Sequence, residues 1–327
     1  MARIDALFAE IDEGEAALAS ARKGLETFRR ALLKSAVTGE LTKDWRAANP
    51  STDTGHDLLA RIARERASTA PKPRARRNGD APTLDISSLP ALPDCWVWAT
   101  LEQIADSVRN GTSAPPRADA NGNEILRISA VRPLRVDETQ IRYLDDKQAA
   151  AVPDATIEAG DLLFTRYNGS TDLVGVGAVY KGRKRFYPDK IIRVRLEEQV
   201  ASHRDFIELA VNTWMGRKHI ASNIKTTAGQ QGLSGESLKR TPVPIPPPSE
   251  AAEILRRVSD ALAAAADTQA MLDAEAADAA RLKQSILKSA FEGRLVPQDP
   301  ADEPASALLA RLKAAPAASS PRRGRRP

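Results

Sequence analysis

The chain has 327 residues, of which 42% are hydrophobic, and a formal net charge of +5. Its single cysteine, Cys95, excludes an intrachain disulfide and fits a reducing compartment. There is no apolar run of about 18 residues and no signal-peptide core, so a soluble, cytoplasmic protein is expected. The charge is unevenly placed. Lys72, Arg74, Arg76 and Arg77 lie in a proline-rich stretch and Arg322, Arg323, Arg325 and Arg326 at the C-terminal end. Without these residues the rest of the chain is net acidic, so charge alone does not argue for a nucleic-acid partner.

In chain order, residues 1–38 are expected to form a long helix. Ile4, Ile11, Leu18, Leu25 and Leu32 recur at heptad spacing, with Ala21 and Phe28 on the intervening seam. A glycine turn and a short helix over 58–66 complete an N-terminal helical region, 1–66. Residues 67–88, proline-rich and basic, read as a solvated linker. Residues 89–246 read as one mixed domain, with strands over 125–131, 161–167, 174–180 and 190–196 and helices over 101–108 and 204–223. The run 241–248, Thr-Pro-Val-Pro-Ile-Pro-Pro-Pro, reads as a rigid polyproline-like hinge. A second heptad helix follows over 249–291, roughly 60 Å long, with Leu255, Val258, Leu262, Ala265, Leu272, Ala276 and Ala279 on its seam and Gln269 as the polar exception. It belongs to a C-terminal helical region, 247–315, ahead of a basic tail, 316–327, expected to be disordered.

The two helical regions are copies of one element. Leu33-Lys34-Ser35-Ala36-Val37-Thr38-Gly39-Glu40-Leu41 returns as Leu287-Lys288-Ser289-Ala290-Phe291-Glu292-Gly293-Arg294-Leu295. Leu58-Leu59-Ala60-Arg61-Ile62 returns as Leu308-Leu309-Ala310-Arg311-Leu312. Gly39 and Gly293 fit helix C-caps, where glycine adopts a left-handed conformation at least cost. The expected fold is therefore α+β: one mixed globular domain flanked by long helices that form an antiparallel coiled-coil spacer.

Catalytic motifs are missing. Gly175-Val176-Gly177 lacks the third glycine of a phosphate loop, and His56, His203 and His219 stand apart from any metal-ligand spacing. Asp161 with Asp189-Lys190 lacks the Glu-x-Lys of a metal-dependent nuclease. Asn49-Pro50 is followed by Ser51, not by the proline and aromatic of an amino-methylation motif. The mixed domain does carry loops suited to base edges: Arg109, Asn110, Thr112 and Ser113; Arg166, Tyr167 and Asn168; and Lys225, Thr227, Gln230 and Gln231. Arginine pairs bidentately with guanine, and asparagine or glutamine with adenine. Lys184 and Arg185, in a basic run, suit phosphate contact.

The stretch Leu282-Lys283-Gln284-Ser285-Ile286-Leu287-Lys288-Ser289-Ala290-Phe291-Glu292-Gly293-Arg294-Leu295-Val296-Pro297-Gln298-Asp299-Pro300 resembles the specificity subunits of type I restriction-modification systems. Leu92-Pro93-Asp94-Cys95-Trp96-Val97-Trp98 is similar to the opening of that family's target recognition domain. Gly229-Gln230-Gln231-Gly232-Leu233-Ser234 through Pro242-Val243-Pro244-Ile245-Pro246 is similar to its close. Cys95 stands where glycine is usual and Ala251 where glutamine is usual. Family members usually carry two recognition domains; this chain resembles a half-length form with one, over 89–246. The resemblance implies a non-catalytic chain that reads double-stranded DNA for modification (methyltransferase) subunits and a restriction (endonuclease and translocase) subunit. S-adenosylmethionine, ATP and magnesium would be held by those partners, and no cofactor by this chain. One recognition domain per chain, with two alike helical seams, leads to the expectation of a homodimer through the coiled coil, the alternative being pairing with a different half-length subunit; the resemblance also implies phage defence as the context. The alternative reading is a coiled-coil adaptor whose middle domain binds a protein.

Overall fold

The computed structural model describes residues 2–69, 86–118, 121–227, 230–297, 301 and 303–314. Most of the expected linker and all of the expected basic tail lie outside these residues. In contact terms the chain forms two units, one of residues 26–266 and one drawn from 1–25 and 267–327.

The N-terminal region has helices α1 (Ala2–Thr38), α2 (Lys43–Ala48) and α3 (Gly55–Thr69). Gly39 ends α1 in the left-handed conformation, at φ +79°, as the repeat motif predicts. The mixed domain opens with β1 (Val97–Thr100), α4 (Leu101–Ile104) and β2 (Ala105–Asn110). The helix expected over 101–108 is thus one turn, closed by a Thr100/Gln103 capping box. Strand pairing takes the rest, since 105–110 forms the edge of a sheet.

A meander follows: β3 (Asn123–Leu126), β4 (Val131–Arg132), β5 (Arg135–Val136) and β6 (Ile141–Leu144), then α5 (Asp146–Ala151), capped by Asp145, and β7 (Thr156–Ile157). Next come β8 (Leu162–Thr165), β9 (Tyr167–Asn168), β10 (Gly177–Val179), β11 (Arg185–Phe186) and β12 (Ile191–Leu196). Helices α6 (Arg204–Asn212) and α7 (Trp214–Ser222) replace the single helix expected over 204–223; Thr213 is extended between them and its hydroxyl donates to the Ala210 carbonyl. Then come β13 (Lys225–Thr227), β14 (Gln230–Gly232), α8 (Gly235–Lys239), β15 (Pro242–Ile245), α9 (Pro248–Phe291) and α10 (Ala305–Ala314).

The principal sheet has the order β10-β8-β12-β2, with antiparallel pairs throughout. One face packs Leu162, Phe164, Ile192 and Val194 against Leu58 and Ile62 of α3 and Val211 of α6. Each such side chain contributes about 1.5–3 kcal/mol of burial. β10 is an edge strand, and α6 satisfies its free backbone. Asn212 both accepts from the Gly177 N–H and donates to its carbonyl, and Glu208 accepts from Val179 N–H at 2.8 Å. That explains two polar residues on an otherwise apolar helix face. Burial raises the Glu208 carboxyl above its usual range.

The run expected as a polyproline hinge is instead β15, buried and paired antiparallel with β1 in the register Val97↔Ile245 to Thr100↔Pro242. Proline has no N–H, so only Val243 and Ile245 of this strand can donate, and its other edge carries no partner strand. Beside it, His203 is fully buried with Nε2 bonded to the Pro246 carbonyl, and burial lowers its pKa. A His buried neutral favours folding above its unfolded pKa, about 6.5, and that stability is lost as pH falls toward the lower folded value. Stability is therefore expected to fall as pH drops below about 6.5, by at most about 1.4 kcal/mol per pH unit for this group, and the melting temperature with it. His203→Gln should flatten part of that slope in a pH series of thermal melts; an unchanged slope would assign it elsewhere.

Within each unit, α1 and α9 run antiparallel. Lys283 pairs with Asp12 and Glu15, and Arg22 with Asp273, in the smaller unit. In the larger, Arg29 reaches the Ala265 carbonyl and Arg257 pairs with Asp44. The α9 seam matches the sequence expectation. The α1 seam differs by one position: Phe28 is exposed, as is Ala21, and Arg22 and Arg29 take the intervening places. Their long side chains span the seam and end on carbonyl or carboxylate oxygens of α9.

Candidate nucleic-acid interface

Six of the expected DNA-reading residues meet in one small sheet of order β13-β14-β9. Lys225 pairs with Gly232, Thr226 with Gln231 and Thr227 with Gln230. Gln231 also pairs with Asn168 and Gly232 with Tyr167. The local sequence dictates this closeness. A Cβ on Gly232 would lie 2.5 Å from the Tyr167 ring, so only glycine lets that ring lie against β14. Arg166 stacks on the same ring, its guanidinium carbon 4.7 Å from the centroid. Its Nη1 donates to the Asp189 carbonyl at 3.3 Å, while Arg166 Nε and Gln231 Oε1 are buried without a partner among the described residues. The surface thus offers a guanidinium, an aromatic ring, a primary amide and an ammonium. Asn168 spends its carbonyl on a local turn, accepting from Ser170 N–H at 3.1 Å.

Of the expected loop at 109–113, Arg109 and Asn110 instead end β2, and the turn after them is tied to the same region through Asp189, whose N–H donates to the Thr112 carbonyl. Gly111 permits this, because a Cβ there would meet the Tyr187 carbonyl oxygen at 2.0 Å. Arg109, Asn110 and Ser113 are exposed. Two residues depart from the sequence reading. Thr112 is buried, its hydroxyl accepting from Ala114 N–H at 3.0 Å, so it shapes the loop. Arg185 is held by Glu124 at 2.7 Å and Glu138 at 3.3 Å, which leaves it little free charge for a phosphate, whereas its neighbour Lys184 is exposed. Residues 228 and 229, at the tip of the β13–β14 hairpin, lie outside the described residues.

Asp161 is buried and bidentate to Arg195, both bonds at 2.8 Å, a structural ion pair. Burial lowers the pKa of His219 as it does that of His203. Among the described residues no group of three or more His, Cys, Asp or Glu could hold a metal ion, and no helix is long and apolar enough to cross a membrane.

No protein-family model matches the chain. It is 32% identical over 335 residues to the type I restriction enzyme EcoKI specificity subunit of Escherichia coli K12, covering 99% of this chain and 63% of that protein. The chain is a relative of type I restriction specificity subunits. It is also 29% identical over 332 residues to the StySPI specificity subunit of Salmonella potsdam, covering 97% of this chain and 61% of that one. The HsdS subunit of Thermoanaerobacter tengcongensis shares its fold, with a TM-score of 0.51 and 17% identity over 90% of this chain and 57% of that one. The chain therefore spans about three fifths of the length of the relatives it matches.

Proposed function

We propose that this chain is the DNA-recognition subunit of a type I restriction-modification complex, non-catalytic itself and cytoplasmic. The observation that carries this reading is the gathering of Tyr167, Asn168, Lys225 and Gln231 on one small sheet, with Arg166 stacked on the Tyr167 ring beside it, in a chain whose relatives are specificity subunits. The unpartnered buried Nε of Arg166 and Oε1 of Gln231 suit a ligand that is itself rich in donors and acceptors, as a base edge is. Methyl transfer and ATP-driven cleavage belong to modification and restriction subunits, which hold S-adenosylmethionine, ATP and magnesium. The paired α1 and α9 form the spacer along which those subunits dock.

Reading of two half-sites, which we propose for this complex, takes two such sheets. Within each unit the seams of α1 and α9 meet each other, so a seam-to-seam dimer, formed in exchange for these contacts, is one route to a second reader. The second copy of the repeat provides another. Val37, Leu58 and Ile62 of the first copy are buried, whereas Phe291, Leu308 and Leu312 of the second are 90%, 48% and 63% exposed. We assign this apolar face to a second copy of the chain, giving a two-fold complex that reads an inverted repeat.

Replacing Arg166 or Gln231 by alanine is expected to change sequence preference, at about 1–3 kcal/mol per lost bidentate contact. Lys184→Ala should instead weaken all duplexes alike and flatten the salt dependence. Equilibrium binding of the assembled complex to its target and to a scrambled duplex checks this. Unchanged discrimination in both the Arg166 and Gln231 variants would remove them from the reading surface.

A further inference from the structure

The principal sheet carries, on the face opposite Leu162 and Phe164, a cavity of about 390 Å³ floored by β2 and β12. Arg193 stands directly across the ladder from Arg109, and Arg195 from Ser107. Like charges so placed repel. Arg195 is compensated by Asp161 and Glu158. Arg193 is not. It is 5% exposed, its Nη1 donates to the Thr156 carbonyl at 2.6 Å, and its guanidinium lies 5.8 Å from the centre of the Tyr187 ring. No carboxylate pairs with it among the described residues, and its Nε is buried without a partner. A buried guanidinium lacking a counter-ion is costly to hold. Arg109 and Lys184 line the same cavity, both exposed and neither in an ion pair among the described residues. Asp106 and Asp154 also line it, but they are exposed and so screened by solvent and salt.

We propose that this cavity is an oxyanion seat that takes a single phosphate group, with Arg193 as its buried anchor and Arg109 and Lys184 closing over it. Guanidinium geometry matches phosphate oxygens bidentately, and the buried position strengthens the pairing. Resting on the proposed function, the phosphate is one from the backbone of the recognised duplex, outside the base-reading sheet; free phosphate is the other source of the same chemistry.

The test uses the full chain assembled with its modification subunit, as wild type, Arg109→Ala, Arg193→Met and the double variant. Each is measured for duplex affinity against salt and for stabilisation by inorganic phosphate. For a backbone phosphate, each single variant lowers the slope of log affinity against log salt by about one, on specific and nonspecific duplexes alike. The double variant then loses no more than either single one, because both residues hold the same phosphate. If duplex binding is unaltered but inorganic phosphate raises the melting temperature of wild type and of neither variant, the seat holds a free phosphate. If neither duplex binding nor phosphate stabilisation differs between wild type and Arg109→Ala, which is exposed and leaves the fold intact, the proposal is overturned. Failure of the wild-type complex to prefer any duplex would strike the recognition function alone, and the phosphate arm would still judge the seat.

Discussion

Glu250→Ala is expected to destabilise the domain by about 3–5 kcal/mol. The carboxylate is 1% exposed. One oxygen accepts from the Thr42 hydroxyl at 2.7 Å and from the Arg46 guanidinium; the other accepts from the Trp96 indole N–H at 2.8 Å. These donors come from the first helical repeat and from the opening of the mixed domain, so one side chain of α9 fastens three segments. Truncation leaves a guanidinium, a hydroxyl and an indole N–H without their acceptor, and each unmet donor adds its own desolvation penalty. Glu250→Gln, which keeps one acceptor, should lose less. Denaturant unfolding of both variants measures the difference, and a loss below about 1 kcal/mol for Glu250→Ala would deny the residue this role. In the second copy of the repeat, Val296, Gln298 and Pro300 stand in the sequence where Thr42, Asp44 and Arg46 stand in the first.

The second large effect is a contrast between repeat-equivalent residues. Leu58→Ala empties a fully buried position in the main core, beside Leu101 and Val243, and should cost about 2–5 kcal/mol. Leu308→Ala, its counterpart, alters a half-exposed side chain of α10 and should change the stability of the isolated chain by less than about 0.5 kcal/mol. The order should shift in the assembled complex, where Leu308 lies in the proposed contact with a second copy. Unfolding of the isolated chain tests the first statement. Sedimentation of the Leu308→Ala complex tests the second: full retention of two copies would remove this face from the contact.

The helices were legible because heptad spacing and glycine caps are local signals. The α1 seam was read one position off because Arg22 and Arg29 occupy core-facing places, and a charged residue there gives no hydrophobic signal. Residues 242–245 misled for a related reason. Proline-rich sequence forbids a central strand but not an edge strand, and only the partner β1 decides between the two. Of the reading surface, the loops at 166–168 and 225–231 could be named, but their meeting in one sheet is a long-range pairing. Arg193 carries a weaker signal: Ile192-Arg193-Val194-Arg195-Leu196 puts a cation on every second position of a strand, but only the fold shows that the Arg193 side chain is buried. The burial of Arg185 and Thr112 depends on partners distant in sequence, Glu124 and Tyr187 among them.

In the proposed function, this chain chooses the DNA sequence at which its complex acts. Single-molecule methylation mapping of DNA from cells expressing the chain with its modification subunit, and no other specificity subunit, tests it most directly. Adenine methylation is expected at one interrupted motif whose half-sites are inverted repeats, altered in cells carrying Arg166→Ala or Gln231→Ala. Unlike half-sites would contradict the two-fold arrangement. Methylation at no defined motif, or at a motif that persists when this chain is absent, would contradict the recognition function itself.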